Sequence, residues 1–213
     1  VLNEKLNSCG SLAYKTLITD DYFDLYKLMN TKVLVEEDGS IQYIGRLLTY
    51  VTDFNNTKEL TFEGELALLN DVMYPPYDFA GTPAELLTNV INYYNSKCSP
   101  YNQIRIGRIT VTDKNDYIAR SCKDYTTCWE VINSKLIELC GGYIKLRWVL
   151  SDGEILRYID YLDEPGKISD QKIEFSKNLL DVNKEMTGEQ ICTVIIPLGA
   201  ENEETKRRID ISS

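Results

Sequence analysis

The sequence contains no histidine. Ser-His-Asp and Cys-His catalysis both need an imidazole to accept the proton of the nucleophile, so both are excluded. Zinc sites that mix cysteine with histidine are excluded as well, and no two cysteines have the two-residue spacing typical of zinc or redox motifs. We expect reduced thiols and predict no catalytic residue, no metal site and no cofactor. The six cysteines are Cys9, Cys98, Cys122, Cys128, Cys140 and Cys192.

Long apolar runs are also missing. A helix needs about 20 consecutive apolar residues to cross a bilayer, and the first residues lack the charged and apolar regions of a signal peptide. We therefore expect no membrane-spanning segment. The net charge of −10 disfavours binding to nucleic acid, since phosphates would be repelled. A chain of 213 residues that is 43% hydrophobic can bury one substantial core or two small ones.

The first third of the sequence predicts antiparallel β-structure. Strands are expected at 11–17, 31–36, 41–54 and 58–66, with an Asp38-Gly39 hairpin turn and a reversal at Asn55-Asn56-Thr57. In the last of these strands, Leu60, Phe62 and Gly64 alternate with Thr61, Glu63 and Glu65. This alternation predicts one dry face and one wet face.

Two helices are predicted in the middle of the chain. Thr82-Pro83-Ala84-Glu85 is a capping box and predicts a helix from Pro83 to Ser96. Thr127-Cys128-Trp129-Glu130 predicts a second helix, which Gly141-Gly142 would end. The apolar stripes expected on these helices are Leu86, Leu87, Val90, Ile91 and Tyr94 in the first, and Trp129, Ile132, Leu136 and Leu139 in the second.

Shorter signals surround the helices. Tyr74-Pro75-Pro76-Tyr77 marks a boundary loop, since neither proline can donate a backbone hydrogen bond. Strands are expected at 104–112 and 117–121. A hairpin of 143–149 and 154–162 is expected around Ser151-Asp152-Gly153.

Two carboxylate pairs could hydrolyse a glycoside, Asp160 with Asp163 and Glu63 with Glu65. Residues two apart on a strand share a face, however, so Glu63 and Glu65 are better explained as a wet face of the sheet. Asp113-Lys114-Asn115-Asp116 resembles the start of a calcium loop but lacks its glycine and distal glutamate, which favours a turn.

Fifteen tyrosines are many for a chain of this size. Tyrosine is favoured in protein interfaces because a large apolar ring carries one hydrogen-bonding tip. Core packing explains most of these residues equally well, and a carbohydrate platform is a third alternative. Only Trp129 and Trp148 could serve as tryptophan platforms, and both are better explained as core residues.

Several segments together resemble, in order, the N-terminal hub domain of the tail-associated lysin, or prophage tail endopeptidase, family of long-tailed phages. The resemblance covers nearly the whole chain, and no single element of it is a catalytic signature. The segments are Gly45–Leu48, Phe62–Asp71, Asn115–Ile118, Leu136–Tyr143, Tyr158–Leu162, Gln171–Phe175, Lys177–Asp181 and Val194–Ala200.

The resemblance implies an α+β fold in which a small α/β domain is inserted into an antiparallel β-barrel. The barrel would comprise residues 1–71 and 170–213 and the inserted domain residues 72–169, so that Gln171–Ala200 returns to the barrel. It also implies that this chain is a fragment trimmed at both ends, because family members carry a strand before Val1 and begin a second barrel near Arg208–Ile211.

In this family the domain resembles a baseplate hub. The implied parent protein is a homotrimer at the virion tail tip, assembled in the host cytoplasm, which contacts the distal tail protein, the tail tube and the tape-measure protein. The implied function is structural, with no enzymatic activity in this domain, although a lysin domain could follow it. A cell-wall-degrading enzyme and a host-surface carbohydrate-binding module are the two alternatives.

Overall fold

In a computed structural model, the described residues are 1–164, 166, 172, 174, 177, 198–201 and 208–210. The chain divides into two compact units, Val1–Lys167 and Ile168–Ser213. The first unit contains a five-stranded antiparallel sheet followed by an α/β region, and nearly all of the described residues belong to it.

The sheet has the order β1-β2-β5-β4-β3, with every pair of neighbours antiparallel. The predicted strands are confirmed to within a few residues, and so is the hairpin turn at Asp38-Gly39. Both turn residues have positive φ angles, 50° and 72°, as a two-residue hairpin turn requires. The strands are β1 (Leu2–Asn3), β2 (Ser11–Leu17), β3 (Lys32–Glu37), β4 (Ser40–Thr52) and β5 (Thr57–Gly64).

The sheet has a small core, in which Leu47, Leu60 and Phe62 are buried. The predicted alternation along β5 is confirmed, since Leu60 and Phe62 are buried while Glu59 is exposed. The connection of residues 18–31, here called the β2–β3 loop, packs against this core through Tyr26. The loop therefore completes a core that the strands alone leave thin.

The α/β region begins after a 3₁₀ helix, Glu65–Asn70, which interrupts the predicted continuation of β5 to Leu66. Pro75 and Pro76 separate β6 (Met73–Tyr74) from β7 (Tyr77–Gly81), as the boundary prediction required. The helix α1 (Pro83–Lys97) then starts at a complete capping box, because Thr82 and Glu85 each accept a hydrogen bond from the backbone N–H of the other.

The apolar stripe predicted for α1 is confirmed, since all five of its residues are buried. A short 3₁₀ helix, Pro100–Asn102, leads into β8 (Ile104–Ile109), which ends earlier than predicted. A turn at Asp116, whose φ is 48°, then precedes β9 (Ile118–Cys122) and β10 (Thr126–Thr127).

The second helix, α2, consists of α-helical turns Cys128–Ile132, a π-helical turn Asn133–Ile137 and a last turn Glu138–Cys140. Gly141 and Gly142 end it with positive φ angles, as predicted. The prediction that Leu139 faces the core is wrong, because this side chain is 58% exposed. A π turn holds more residues than an α turn, so the residues that follow it are rotated away from the stripe.

The predicted hairpin is present as β11 (Tyr143–Ser151) and β12 (Glu154–Leu162), and β8 pairs with β12 in parallel. Two further pairs, β7 with β9 and β6 with β10, are antiparallel. The inner faces of α1, α2 and the β11-β12-β8 sheet form the main core of the molecule.

The described residues form an α+β fold in which strands predominate, and the five-stranded sheet is curled like half of a barrel. Among these residues β1 and β3 are its edges, so a closed barrel is not shown. Most of Gln171–Ala200, the predicted closing segment, lies outside the described residues. In the second unit, β13 (Leu198–Glu201) pairs with β14 (Arg208–Asp210). The division into 1–71 with 170–213 and 72–169 stays a prediction.

Candidate functional site

A buried ion cluster at Glu65 joins the five-stranded sheet to the α/β region. The Glu65 carboxylate accepts hydrogen bonds from Arg157 Nε at 2.7 Å and Nη2 at 2.8 Å, and from Trp148 Nε1 at 2.9 Å. Lys32 Nζ, on β3, lies 3.0 Å from Glu65 Oε1 and also donates to Asn102. One carboxylate thus connects an edge strand of the sheet to β11 and β12.

The charge of Glu65 is well compensated. Burial of the side chain, which is 1% exposed, would by itself raise its pKa. The hydrogen bonds and positive charges of Arg157 and Lys32 outweigh that effect, and the pKa of Glu65 lies below its ordinary value. The carboxylate is therefore ionised at neutral pH and holds the two cations in place.

The prediction that Glu65 lies on a wet face is wrong. The strand ends at Gly64, and the 3₁₀ helix that follows turns the Glu65 side chain inward. A Cβ at Gly64 would collide with the backbone of Cys9, so only glycine fits where the chain turns. Glu63 remains on β5, where its carboxylate accepts a hydrogen bond from Arg46 Nε at 2.7 Å.

Arg46 forms a second ion cluster nearby. Its guanidinium also binds Asp71, at the end of the 3₁₀ helix, with Nη2 2.9 Å from Oδ1. Hydrogen bonds to Asp71 and Glu63 raise the pKa of Arg46 despite its burial. The Glu63 and Glu65 carboxylates therefore serve different cations.

The other carboxylate pair is similarly engaged in separate contacts. Asp160 Oδ1 accepts a hydrogen bond from the Arg108 N–H at 2.7 Å, and Asp160 Oδ2 lies 3.1 Å from Arg147 Nε. Asp163 is exposed and binds Thr110, and that hydrogen bond lowers the pKa of Asp163. Asp160 thus belongs to the sheet, where its side chain leaves no room for a Cβ at Gly107.

The β2–β3 loop is anchored by two polar side chains, Asp20 and Lys58. Asp20 accepts hydrogen bonds from Thr16 and from the Tyr22 backbone N–H, and these lower its pKa. Lys58, a buried residue of β5, donates to the Phe23 carbonyl and lies 3.9 Å from the centre of the Phe23 ring. A cation held against an aromatic face in this way contributes both a hydrogen bond and a cation–π attraction.

The β2–β3 loop exposes large apolar side chains among the exposed polar residues Thr19, Asp21, Asp24, Lys27 and Asn30. Between anchored residues, five large side chains are at least half exposed, and this set is here called the loop patch. Its members are Ile18, Tyr22, Leu25, Leu28 and Met29. Several large apolar side chains exposed on one short segment are typical of a surface that another protein covers. Of this patch, only Tyr22 is among the fifteen tyrosines considered above for an interface, because the apolar residues of the segment follow no period that would mark them.

The segment that resembles the start of a calcium loop is a turn, as expected. The Asp116 N–H donates to the Asp113 carbonyl and closes the turn Asp113–Asp116. No group of three potential metal ligands occurs among the described residues. Cys9, Cys98, Cys122, Cys128 and Cys140 are free, while Cys192 lies outside the described residues. Burial raises the pKa of Cys128 to about 12, so this thiol is unreactive at neutral pH.

Two further expectations concern tryptophan and membrane spans. Trp129 and Trp148 both pack against the main core, as predicted. No helix in the described part of the chain is both long and apolar enough to cross a membrane.

The partners of Glu65 could not have been found from local sequence. Lys32 and Arg157 lie 33 and 92 positions away from Glu65. No spacing rule relates residues that only the folded topology brings together. The one available signal was Arg157, a positively charged residue inside a mainly apolar and aromatic strand that also carries Glu154 and Asp160.

No protein-family model and no curated protein matches this chain. Among solved structures, it is similar to the crystal structure of prophage tail protein gp18 from Listeria monocytogenes EGD-e, with 12% sequence identity and a TM-score of 0.45. The match covers 74% of this chain and 43% of the other. Similarity at this level does not establish a shared fold or function.

Proposed function

We propose that this chain is a structural component of a phage or prophage tail, in the hub of the tail tip or baseplate, where it links the tail tube to the host-penetrating tip. The observation that carries the proposal is the loop patch, an exposed apolar surface on a well-anchored loop. Such a surface suits permanent assembly with another protein. The ordered resemblance of segments to the hub domain supplies the identity of the assembly.

The ion cluster at Glu65 supports the same function. A hub must transmit force and hold its neighbours in fixed orientation, which requires its parts to move as one body. The Glu65 cluster connects β3, β11 and β12 through hydrogen bonds to one carboxylate, of which those from Arg157 are buried and that from Lys32 is partly exposed. Charged hydrogen bonds of this kind are directional and stronger than neutral ones.

The finer features of the proposal come from the resemblance. In the parent protein the chain forms a homotrimer, and Gln171–Ala200 closes the barrel on the five-stranded sheet. The upper face of the ring meets the distal tail protein at the end of the tail tube, and its lumen admits the tape-measure protein. We assign the loop patch to the contact with the distal tail protein because of its exposed apolar side chains.

Co-expression with the distal tail protein encoded by the same phage tests this function. We expect the two proteins to elute together, and we expect Leu25→Ser with Met29→Ser to weaken the complex. Tyr101→Ser is the matched control, because Tyr101 is 85% exposed but lies outside the patch. Elution of the two proteins as separate species, or equal loss with the control, would overturn the assignment. Gold-labelled antibodies against the chain should mark the tip of the tail.

We also propose that this domain has no catalytic activity of its own. Incubation with purified cell wall should release no soluble fragments, and release of such fragments would favour the enzyme alternative. Retention of the isolated chain on host cells would favour a carbohydrate-binding module instead.

A further inference from the structure

The strand β11 has an open edge that faces a groove. The groove has a volume of about 380 Å³ and lies between β11 on one side and the segments 4–10 and 41–43 on the other. All of these elements belong to the first compact unit. β12 occupies the other edge of β11, so the groove side is the free one.

The backbone groups that point into the groove can be identified from the pairing register. Ile144 donates its N–H to Asn7 rather than to β12, so Ile144 and Tyr161 are a non-hydrogen-bonded pair. In an antiparallel ladder such pairs recur at every second residue. Leu146 and Trp148 therefore also direct their N–H and C=O groups away from β12, and no described residue provides a partner for them.

Asn7 shows that this edge accepts an amide partner. Its side-chain Oδ1 accepts from the Ile144 N–H at 2.8 Å, and its Nδ2 donates to the Gly142 carbonyl at 3.1 Å. This is the pair of hydrogen bonds that a residue of an added strand would make. The Asn7 side chain thus takes the place of one residue of an added strand. No described residue takes the corresponding places beside Leu146 and Trp148.

The charges beside the groove favour one sign of ligand. Lys5 and Lys145 have no ionic partner among the described residues, and Arg147 is 48% exposed although it contacts Asp160. Of the two carboxylates in the groove, Glu65 is neutralised by Arg157 and Lys32, which leaves Glu4. Two exposed lysines without an ionic partner therefore face one free carboxylate, and Arg147 adds a guanidinium that is already paired with Asp160, in contrast to the net charge of −10 of the whole chain.

We propose that the open edge of β11 binds an extended, acidic peptide segment of a partner protein, which continues the strand position begun by Asn7. Backbone hydrogen bonds to Leu146 and Trp148 would supply the affinity, and contacts with Lys5, Lys145 and Arg147 would select carboxylates. Addition of a strand to a free sheet edge is a common mode of peptide recognition. The inference does not depend on the proposed function, since it uses only the groove.

The probe is a nine-residue peptide of alternating valine and glutamate, labelled for fluorescence anisotropy and titrated with the full chain. Two N-methylated forms serve as a matched pair, one methylated at every valine and the other at every glutamate. Alternate amides of an extended peptide point to opposite sides, so only the valine amides or only the glutamate amides can face β11. The form methylated on the side that faces β11 should bind about tenfold more weakly than the unmethylated peptide, or worse, whereas the other form should keep its affinity. Equal effects of the two methylation patterns would overturn the proposal.

The preference for acidic peptides is tested with variants of the protein in which the charge of one lysine is reversed. Lys145→Glu should weaken binding about two- to fivefold, as expected for an exposed pair, while Lys123→Glu, an exposed lysine outside the groove, should not. A lysine-valine peptide that binds as well as the glutamate peptide would contradict the proposal. So would displacement of the peptide by single-stranded DNA at equal concentration, which would assign the cations to phosphate instead.

Hydrogen exchange decides whether the edge is free in the chain itself. The amides of Leu146 and Trp148 should exchange fast in the unbound protein and slow down when the peptide is added. Slow exchange before addition would show that the chain fills its own groove and would overturn the proposal. Absence of binding at about 1 mM peptide would do the same.

Discussion

The five-stranded sheet and the α/β region differ in how much apolar surface holds each together. The sheet buries only Leu47, Leu60 and Phe62 in its own cluster, whereas the α/β region encloses a core built from two helices and three strands. A small core provides little stabilisation, because the hydrophobic contribution follows the area removed from water. The sheet therefore depends on polar contacts more than the α/β region does.

The polar contacts of the sheet are concentrated at three places. The Glu65 cluster ties the sheet to the α/β region, the Arg46 cluster ties β4 and β5 to Asp71, and Lys58 ties the β2–β3 loop to the sheet. Substitutions at these places should therefore loosen the sheet while leaving the α/β region folded. The size of each effect tests how far the two regions are independent.

Glu65→Gln should have the largest effect. The substitution keeps the shape of the side chain but leaves Arg157 buried without a countercharge, which costs about 3 to 5 kcal/mol in comparable cases. Urea denaturation measures the loss, and hydrogen exchange should locate it first in β3 and β12, which carry Lys32 and Arg157. Glu59→Gln, which breaks the exposed contact with Lys15, is the control and should cost less than about 1 kcal/mol. Equal losses in the two variants would show that the cluster contributes little.

Low pH should weaken the ion pairs of the Glu65 cluster. The pKa of Glu65 is lower in the folded protein than its ordinary value of about 4.3, so its contribution is fully present above that pH. The contribution is lost as the pH falls through the lower, folded pKa. The difference in urea midpoint between the wild type and Glu65→Gln should therefore shrink as the pH is lowered below about 4. A difference that stays constant down to pH 3 would contradict this explanation.

Lys58→Met should have an intermediate effect. The variant keeps the apolar stem of the side chain but removes the donor to the Phe23 carbonyl, and a lost hydrogen bond to a charged group costs about 1 to 3 kcal/mol. The β2–β3 loop should then open, so that trypsin cleaves after Lys27 faster than in the wild type. Lys15→Met is the control, since Lys15 is exposed and lies away from the ring of Phe23. Unchanged cleavage would show that Tyr26 and Asp20 hold the loop without Lys58.

The sequence could predict the features that depend on neighbouring residues but not those that depend on distant contacts. The strands, both helix starts and the turns at Asp38 and Asp152 follow from local rules, because alternation, capping boxes and glycines act within a few residues. The π turn in α2 and the inward turn of Glu65 depend on packing against distant elements. Prediction therefore failed at Leu139 and Glu65, where tertiary contacts override the local pattern.

The candidate site was less predictable than the fold. The hydrogen-bonding partners of Glu65 come from β3, β11 and β12, and nothing in the local sequence distinguishes Lys32 from an ordinary exposed lysine. The loop patch has no repeat that a sequence rule could detect. Both features became visible only when the structure placed anchors and exposed side chains side by side.

Thr82→Ala should have the smallest effect and should act on the other region. It removes the side chain that accepts from the Glu85 N–H at the start of α1, and loss of such a cap costs about 1 kcal/mol. If the two regions unfold independently, faster exchange should be confined to α1 and the strands that it covers, and β2 and β5 should keep their protection. Exposed Thr112 provides the control variant Thr112→Ala. Equally faster hydrogen exchange in the sheet would mean that the Glu65 cluster couples both regions into one cooperative unit, as a rigid hub would require.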